Sequence, residues 1–191
     1  MTRLDGTGVV RGITASAREV CPLPRIDYAD RCTLVTDATA TPERWARAMF
    51  GDVPSPAERF VWRGLLAFRL DPRRSPDTVG GWRVGGRGED WIRLETASRS
   101  LRAAMVVQTA GRRVTWTTCL SYERSWGRLL WPPLSAVHRR LVPRVLAAAG
   151  QRLRETDGQD SRARRSEACT SSRVSPSARS RPVSAVIRPS R

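Results

Sequence analysis

The sequence predicts an α+β domain with a mainly antiparallel sheet, and three patterns support this prediction. Two short segments after residue 40 begin with residues that start helices. From about residue 79 to residue 122, apolar and polar residues alternate, which is typical of consecutive antiparallel strands. After residue 133 the apolar residues return to helical spacing. All Trp, Phe and Tyr residues lie between Tyr28 and Trp131, so we expect the core in this part of the chain.

The first strand and the two helices after it are predicted from local signals. Cys32 and Leu34 alternate with polar residues, so a strand is expected over residues 30–35. Thr41-Pro42-Glu43 offers a capping hydroxyl, a proline at the first helical position and an acid in the first turn. Ser55-Pro56-Ala57-Glu58 is a capping box for a second helix that reaches Phe68. The sequence therefore predicts two short helices directly after the first strand.

Four further strands and one helix complete the predicted domain. Strand patterns occur at residues 82–84, 91–96, 101–109 and 113–122, with Ala110-Gly111 as a hairpin turn. The final helix is expected from Ser135 to Leu153, because Pro132-Pro133 ends the segment before it and Ser135 can cap it. Pro143 lies inside this helix and should kink it, at a cost of about 3 kcal/mol.

Composition divides the chain into three parts. Residues 1–24 lack periodicity and form a predicted loose leader, and residues 25–150 form the domain. In residues 151–191, 22 of 41 residues are Ser, Arg or Pro and none is aromatic. Such a segment cannot bury enough apolar surface to offset its ordering entropy, so we expect a disordered tail. Its composition is also that of GC-rich DNA translated in a wrong frame, so a functional basic tail and a frameshifted tail both stay open.

The net charge of +16 raises the question of nucleic-acid binding. All 34 basic residues are Arg, and the chain contains neither Lys nor Asn. Because Lys and Asn have A/T-rich codons, their joint absence indicates a GC-rich genome and makes part of the Arg excess a codon effect. The Arg residues are also scattered along the chain, whereas nucleic-acid binding uses a clustered basic face. Specific nucleic-acid binding is therefore not expected.

The cysteines and the apolar segments argue against three other classes. Cys21, Cys32, Cys119 and Cys169 contain no C-x-x-C pair, so neither a zinc site nor a disulfide framework is expected. No stretch reaches the roughly 18 apolar residues of a membrane span, and residues 1–20 contain no apolar segment typical of a signal peptide. The sequence predicts a cytoplasmic protein without a metal, a cofactor or a transmembrane segment.

Two segments carry a resemblance to a known family. One is Leu23-Pro24-Arg25-Ile26-Asp27-Tyr28-Ala29-Asp30, and the other runs from Gly127-Arg128-Leu129-Leu130-Trp131-Pro132-Pro133 to Pro143. Together with the order of elements, they make residues 22–150 resemble the START-like/polyketide-cyclase (SRPBCC) superfamily, and within it an uncharacterised family of high-GC bacteria. The resemblance implies a helix-grip fold, in which a curved antiparallel sheet wraps around the long C-terminal helix and an apolar ligand lies between them. It also implies an oxidoreductase partner, because in that family the domain sometimes follows a nucleotide-binding oxidoreductase domain.

The candidate site residues are one titratable side chain and several large apolar ones. His138 is the only histidine. It lies one turn after Leu134, so it could face the cavity and act as an acid or base. The alternative is a structural histidine bonded to Asp27, Tyr28 or a backbone carbonyl. Aromatic walls suit a planar or apolar ligand, although core packing also accounts for large rings. The predicted ligand-binding residues are Trp82, Trp91, Trp116, Leu120, Tyr122, Trp131 and Leu141.

Three functions are compatible with these observations. The first is a binding module for a small apolar molecule, such as a lipid or a polyketide-like compound. The second is an enzyme of the cyclase/aromatase kind, in which His138 would be the catalytic residue. The third is an interaction module for a separate nucleotide-dependent oxidoreductase.

The origin of the charge leads to the first testable prediction. If the Arg content reflects codon usage, duplex DNA should bind weakly, without sequence preference, and should dissociate steeply as salt rises. Fluorescence anisotropy with two unrelated duplexes of equal length, between about 50 and 200 mM salt, measures both properties. Tight binding at physiological salt with a preference for one duplex would contradict this view.

Overall fold

The computed structural model describes residues 3–4, 9–53, 64 and 66–171, and side chains are described for residues 9–53, 64 and 66–159. The chain divides into two compact units, Met1–Thr156 and Asp157–Arg191. All of the described strands belong to the first unit. In this described part of the chain the elements follow in the order β1 (Arg3–Leu4), β2 (Val10–Arg11), α1 (Ala15–Val20), β3 (Tyr28–Val35), α2 (Pro42–Phe50), β4 (Thr78–Val79), β5 (Trp82–Arg87), β6 (Trp91–Ala97), β7 (Leu101–Ala110), β8 (Arg113–Tyr122) and α3 (Ser125–Ser171).

The strands form one antiparallel sheet. Seven of them follow the order β1-β3-β8-β7-β6-β5-β4, and β2 pairs with β3 beside this path. The central pairs are long: β3 and β8 are in register from Tyr28 opposite Leu120 to Val35 opposite Arg113. The sheet is curved and does not close. The prediction of an α+β protein with a curved antiparallel sheet and a long C-terminal helix is therefore confirmed.

Both faces of the sheet centre are covered. On β3 every second residue is buried, as expected for a strand with one face on a core. On β7 and β8, however, neighbouring residues on opposite faces are both buried. Ala103 and Leu120 face the main core, whereas Ala104 and Cys119 pack with Cys21 and a few other residues in a smaller cluster. The smaller cluster explains why these two strands are apolar on both sides.

Residues 9–23 differ from the loose leader that the sequence predicts, because they contain β2 and α1. Thr14 begins α1, and its hydroxyl accepts a hydrogen bond from the Ala17 backbone N–H at 3.2 Å. Cys21 and Leu23 are then buried on the outer face of the sheet. The helix has only six residues, which is too short to produce a recognisable apolar period.

The predicted helix at Thr41-Pro42-Glu43 is confirmed as α2. The Thr41 hydroxyl accepts a hydrogen bond from the Arg44 backbone N–H at 3.3 Å, and Pro42 is the first helical residue. Gly51, with a φ of 69°, ends the helix. The second predicted helix falls mainly on residues 54–63 and 65, which lie outside the described residues. Phe68, which the sequence places at its end, lies in a segment without regular structure.

Helix α3 begins earlier and ends later than the sequence predicts. It runs from Ser125 to Ser171 and contains Pro132, Pro133 and Pro143, so the two adjacent prolines do not stop it. Burial of Trp131 on the same stretch of helix favours helix continuity over the local stop signal. The helix also passes Gly150, where the sequence places the end of the domain. Residues 172–191 lie outside the described residues, and there the disordered tail stays a prediction.

No helix in the described part of the chain is both long enough and apolar enough to cross a membrane.

Gly127 allows the start of α3 to lie close to the turn between β6 and β7. A Cβ atom at this position would be 2.7 Å from the Ser100 carbonyl oxygen and 2.9 Å from Leu101 Cδ2. Because the Ser100 oxygen belongs to the backbone, the clash cannot be relieved by a change of rotamer.

We predict that Gly127→Ala lowers the free energy of unfolding by about 1–3 kcal/mol, because the sheet or the helix must shift to accept the methyl group. Gly158→Ala is the matched control, since no atom of the described part of the chain lies within 4 Å of its Cβ position. It should leave stability unchanged or raise it by up to about 1 kcal/mol, since Ala favours helix. Urea unfolding of both variants measures the difference, and equal stability would contradict the proposed close approach.

Candidate functional site

A cavity of about 430 Å³ lies between the sheet and α3. Its volume falls within the range of about 300–1,000 Å³ that is typical of small-molecule sites. The sheet contributes residues of β5, β7 and β8, and the helix contributes residues on one face. The lining residues are Phe50, Leu66, Phe68, Trp82, Ala103, Met105, Trp116, Thr118, Leu120, Trp131, Leu134, Val137, His138, Leu141, Val142 and Val145.

Two periodicities bring these residues together. On β8, Trp116, Thr118 and Leu120 are two residues apart and share the face toward α3. On α3, Leu134, His138, Leu141 and Val145 follow the spacing of three or four residues that places side chains on one helix face. The strand and the helix therefore line the same space from opposite sides.

The walls of the cavity are almost entirely apolar. Apart from the indole rings, Thr118 and His138 are the only residues among the sixteen that have a polar side-chain atom. The chain carries 34 Arg residues, yet within the described part of the chain none of them borders the cavity. As far as the described residues line it, the cavity thus has one polar end and no charged wall.

The polar end is a buried hydrogen-bonded group that joins β3, β8 and α3. Asp30 is 1% exposed, and the strand register places it opposite Thr118. His138 Nε2 lies 3.3 Å from Asp30 Oδ1 and 3.3 Å from Thr118 Oγ1. The second carboxylate oxygen of Asp30 accepts a hydrogen bond from the Tyr28 hydroxyl. Both oxygens of this buried carboxylate are therefore paired, as a buried charge requires.

The imidazole of His138 is held in place by two indole rings. Its centroid lies 5.9 Å from the Trp116 ring at an interplanar angle of 90°, and 5.4 Å from the Trp131 ring at 56°. Trp131 in turn packs edge-to-face on Tyr28, with centroids 5.2 Å apart. Such aromatic contacts prefer a defined geometry. The His138 side chain is 18% exposed, so it lies at the border between the core and the cavity.

Two groups near Asp30 stay protonated at neutral pH. Burial, followed by the hydrogen bond to Asp30, raises the pKa of the Tyr28 hydroxyl well above its ordinary value. Burial and, to a smaller extent, the Asp30 charge raise the pKa of the Cys32 thiol to about 11. Tyr28 therefore remains a hydrogen-bond donor to the carboxylate, and Cys32 remains an unreactive thiol.

The arrangement of Thr118, His138 and Asp30 differs from a nucleophilic triad. In a triad the carboxylate binds one imidazole nitrogen and the hydroxyl binds the other, so that a proton can pass to the base. Here the carboxylate and the hydroxyl are both near Nε2. A proton transfer by His138 would have to use Nδ1. The geometry favours a role of His138 in holding α3 on the sheet and in offering polar atoms to the cavity.

Five of the seven predicted ligand-binding residues border the cavity, and two do not. Trp82, Trp116, Leu120, Trp131 and Leu141 are among the lining residues, as is His138. Trp91 lies on the opposite face of β6 from the buried Ile92. There the Arg93 Cζ atom lies over the Trp91 ring, 5.9 Å from its centroid. Tyr122 ends β8 beyond the cavity, and its backbone N–H donates to Asp27 Oδ2 at 2.7 Å.

Sequence reasoning missed Asp30 and Thr118, although each shares a face with residues that it identified. Asp30 is two residues before Cys32 on the buried face of β3, and Thr118 lies between Trp116 and Leu120. The bonding partner proposed for His138 from the sequence was Asp27, Tyr28 or a backbone carbonyl. The structure instead pairs His138 with Asp30.

The described residues contain no group of three or more His, Cys, Asp or Glu side chains that could hold a metal ion. No protein-family model matches the chain, and no curated protein or solved structure matches it. The argument for a function therefore rests on the geometry of the cavity.

We predict that Asp30→Ala lowers the free energy of unfolding by about 2–4 kcal/mol, because it leaves the buried Tyr28 hydroxyl and His138 without their acceptor. Glu89→Ala is the control, since Glu89 is an exposed carboxylate in the turn between β5 and β6, and it should change stability by less than about 0.5 kcal/mol. Chemical denaturation provides both values. Equal stability of the two variants would show that the network contributes nothing to folding.

Proposed function

We propose that the protein is a binding module that holds a small apolar molecule, such as a lipid or a polyketide-like compound, in the cavity between the sheet and α3. We further propose that the domain has the helix-grip fold of the START-like/polyketide-cyclase (SRPBCC) superfamily. The observation that carries the first proposal is the cavity itself, with about 430 Å³ of space and, among the described residues, two polar lining residues besides its indoles.

The energetics of such a cavity favour an apolar occupant. Removing apolar surface from water contributes roughly 25 cal/mol per Å², so each 100 Å² of buried ligand surface contributes about 2.5 kcal/mol. Water gains little in the same space, since an ordered water needs two to four polar partners. Thr118 and His138 offer such partners at one end only.

Two exposed residues of α3 provide an apolar route into the cavity. Val137 is 51% exposed and Leu141 is 49% exposed, and both also border the cavity. They lie four residues apart, one helical turn, so they form a continuous apolar surface. A ligand entering beside them would meet no charged side chain of the lining.

The helix-grip assignment is supported by the arrangement of the elements. A long C-terminal helix lies on a curved, open antiparallel sheet, and the order β3, α2, β5 to β8, α3 agrees with the order that the resemblance implies, except that the second short helix falls mainly outside the described residues. The cavity lies between that helix and the sheet, where the resemblance places the ligand.

An enzyme of the cyclase/aromatase kind is the second candidate, and the contact between His138 and Asp30 favours it. A buried carboxylate beside an imidazole can tune proton transfer, and His138 borders the cavity. We rank this function below ligand binding, because the carboxylate and the only lining hydroxyl share one ring nitrogen. The oxidoreductase partner that the resemblance implies stays a prediction.

We predict that a neutral fluorescent probe, N-phenyl-1-naphthylamine, binds the protein and that Leu141→Gln weakens its binding about five- to tenfold, since the probe loses apolar contact at the cavity border. Leu129→Gln is the matched control, because Leu129 lies on the same helix and is 69% exposed but does not line the cavity. It should leave the affinity unchanged. Trp116→Leu should also weaken binding while the protein remains folded.

Native mass spectrometry of the purified protein tests the same proposal without a chosen probe. A mass increase that disappears on denaturation would support it and would give the mass of the ligand. If the probe and a broad panel of lipids and aromatic polyketides neither bind nor raise the melting temperature, the ligand-binding function is wrong.

A further inference from the structure

Helix α3 carries exposed apolar side chains on the side that faces away from the core. Six large apolar side chains are exposed in the described part of the chain, and four of them lie between residues 126 and 141 of this helix. These four are Trp126, Leu129, Val137 and Leu141, with exposures of 71%, 69%, 51% and 49%. Pro133, between them in the chain, is exposed as well.

The spacing of these five residues places them on one side of the helix. They are separated by three or four residues, so they form an apolar stripe about 22 Å long. The opposite side of the helix is the one that is buried in the core. A surface helix normally has polar residues on its outer side. An apolar stripe there instead marks an interaction site.

The charges around the apolar stripe are of one sign. Between Glu123 and Glu155 the sequence contains seven Arg and neither Asp nor Glu. Arg140 and Arg144 are exposed, and their spacing from Val137 places them on the side of the stripe, at its C-terminal end. An apolar surface bordered by positive charge is complementary to an anionic lipid membrane, in which apolar chains lie beneath negative headgroups.

We propose that the apolar stripe of α3 docks the protein on the surface of an anionic lipid membrane. The helix then lies in the plane of the membrane, and the stripe reaches the boundary between headgroups and acyl chains. Trp126 suits this depth, because Trp side chains favour the interface between membrane and water. Arg140 and Arg144 contact the headgroup phosphates.

A second copy of the chain is a poorer occupant of the apolar stripe. Two stripes in contact would also bring together the Arg residues of both helices, and residues 124–154 contain no acid to pair with them. Like charges across an interface oppose association. The net charge of +16 adds repulsion between whole chains.

The cavity favours a membrane over an acidic protein partner, and this step rests on the proposed ligand-binding function. Val137 and Leu141 belong to the apolar stripe and also border the cavity. An apolar ligand leaves water for the acyl region of a membrane. A membrane at the stripe therefore brings the ligand to the border of the cavity, whereas a protein at the same place would cover that border.

Vesicle flotation with the full chain tests the proposal. One set of vesicles contains phosphatidylcholine alone, and in the other set part of it is replaced by anionic phosphatidylglycerol. We expect the anionic vesicles to bind the protein about tenfold or more tightly than the neutral ones. Added salt should weaken this binding, because it screens the headgroup charge.

The double variant Trp126→Gln/Leu129→Gln tests whether the apolar stripe makes the contact, since it leaves every charge of the chain unchanged. It should weaken binding to the anionic vesicles about tenfold or more, because two large apolar side chains no longer leave water. Val10→Gln/Val53→Gln is the matched control, because these side chains are 47% and 45% exposed and lie outside α3. It should bind the vesicles as the unmodified chain does.

Trp126→Leu gives a second readout, because it keeps the apolar stripe and removes one ring. Bromine atoms on lipid acyl chains quench the fluorescence of Trp side chains that touch them. On anionic vesicles with brominated chains, the unmodified protein should lose fluorescence. Trp126→Leu should stay bound and lose a smaller fraction, and an equal loss would show that Trp126 does not enter the membrane.

The outcomes separate membrane docking from ligand binding. If Trp126→Gln/Leu129→Gln loses vesicle binding and its control does not, docking stands even where N-phenyl-1-naphthylamine fails to bind in solution. In that case only the proposed ligand-binding function is wrong. The docking proposal is wrong if the chain does not bind anionic vesicles, if it binds neutral ones equally well, or if the two double variants behave alike.

Sedimentation of the unmodified chain identifies the other occupants. A dimer that Trp126→Gln/Leu129→Gln dissociates, in a chain that does not bind vesicles, would make the apolar stripe a contact between two copies and would overturn the proposal. A monomer that does not bind vesicles would overturn it as well and would leave an acidic protein partner as the occupant.

Discussion

The packing of one helix against a curved sheet is the constraint on which the rest of the structure depends. An α-helix with its side chains is about 10–12 Å wide, so a single helix covers only part of a sheet of this breadth. Leu146 and Ala149 of α3 are fully buried. Leu141 and Val145, which precede them in the helix, border open space instead. The cavity is therefore a consequence of the architecture, and its apolar walls are surfaces of the sheet and the helix that face each other across open space.

The buried carboxylate of Asp30 joins this packing to the chemistry of the cavity. A carboxylate that is 1% exposed would be strongly destabilising without partners, and its partners come from β3 itself and from α3. Tyr28 and His138 together satisfy the charge, and the contact of His138 with Asp30 also holds the helix against the sheet. The polar end of the cavity results from the same interaction, because Thr118 is the residue opposite Asp30 on the neighbouring strand.

The sequence predicts most of the fold, and the part of the site that depends on a single strand or helix. Alternation identifies Trp116 and Leu120 as residues of one face, and both line the cavity. For Trp91, alternation is a better guide than ring size, because Ile92 occupies the buried face of β6 and Trp91 does not border the cavity. The partner of His138 could not be predicted, because Asp30 is 108 residues away in the chain. Their contact depends on how the helix lies across the sheet, and local patterns do not determine that geometry.

The start of α3 shows why strong local signals can mislead. A proline inside a helix removes one hydrogen bond and frees the carbonyl four residues earlier. For Pro132 and Pro133 these carbonyls belong to Arg128 and Leu129, which are exposed, so water can bind them and the loss is small. The residue just before these prolines, Trp131, is buried against Tyr28 and His138, and burying a large ring contributes several times the free energy of one hydrogen bond. The effect of a proline on a helix therefore depends on whether the freed carbonyl faces water, which becomes known only when the buried face of the helix is known.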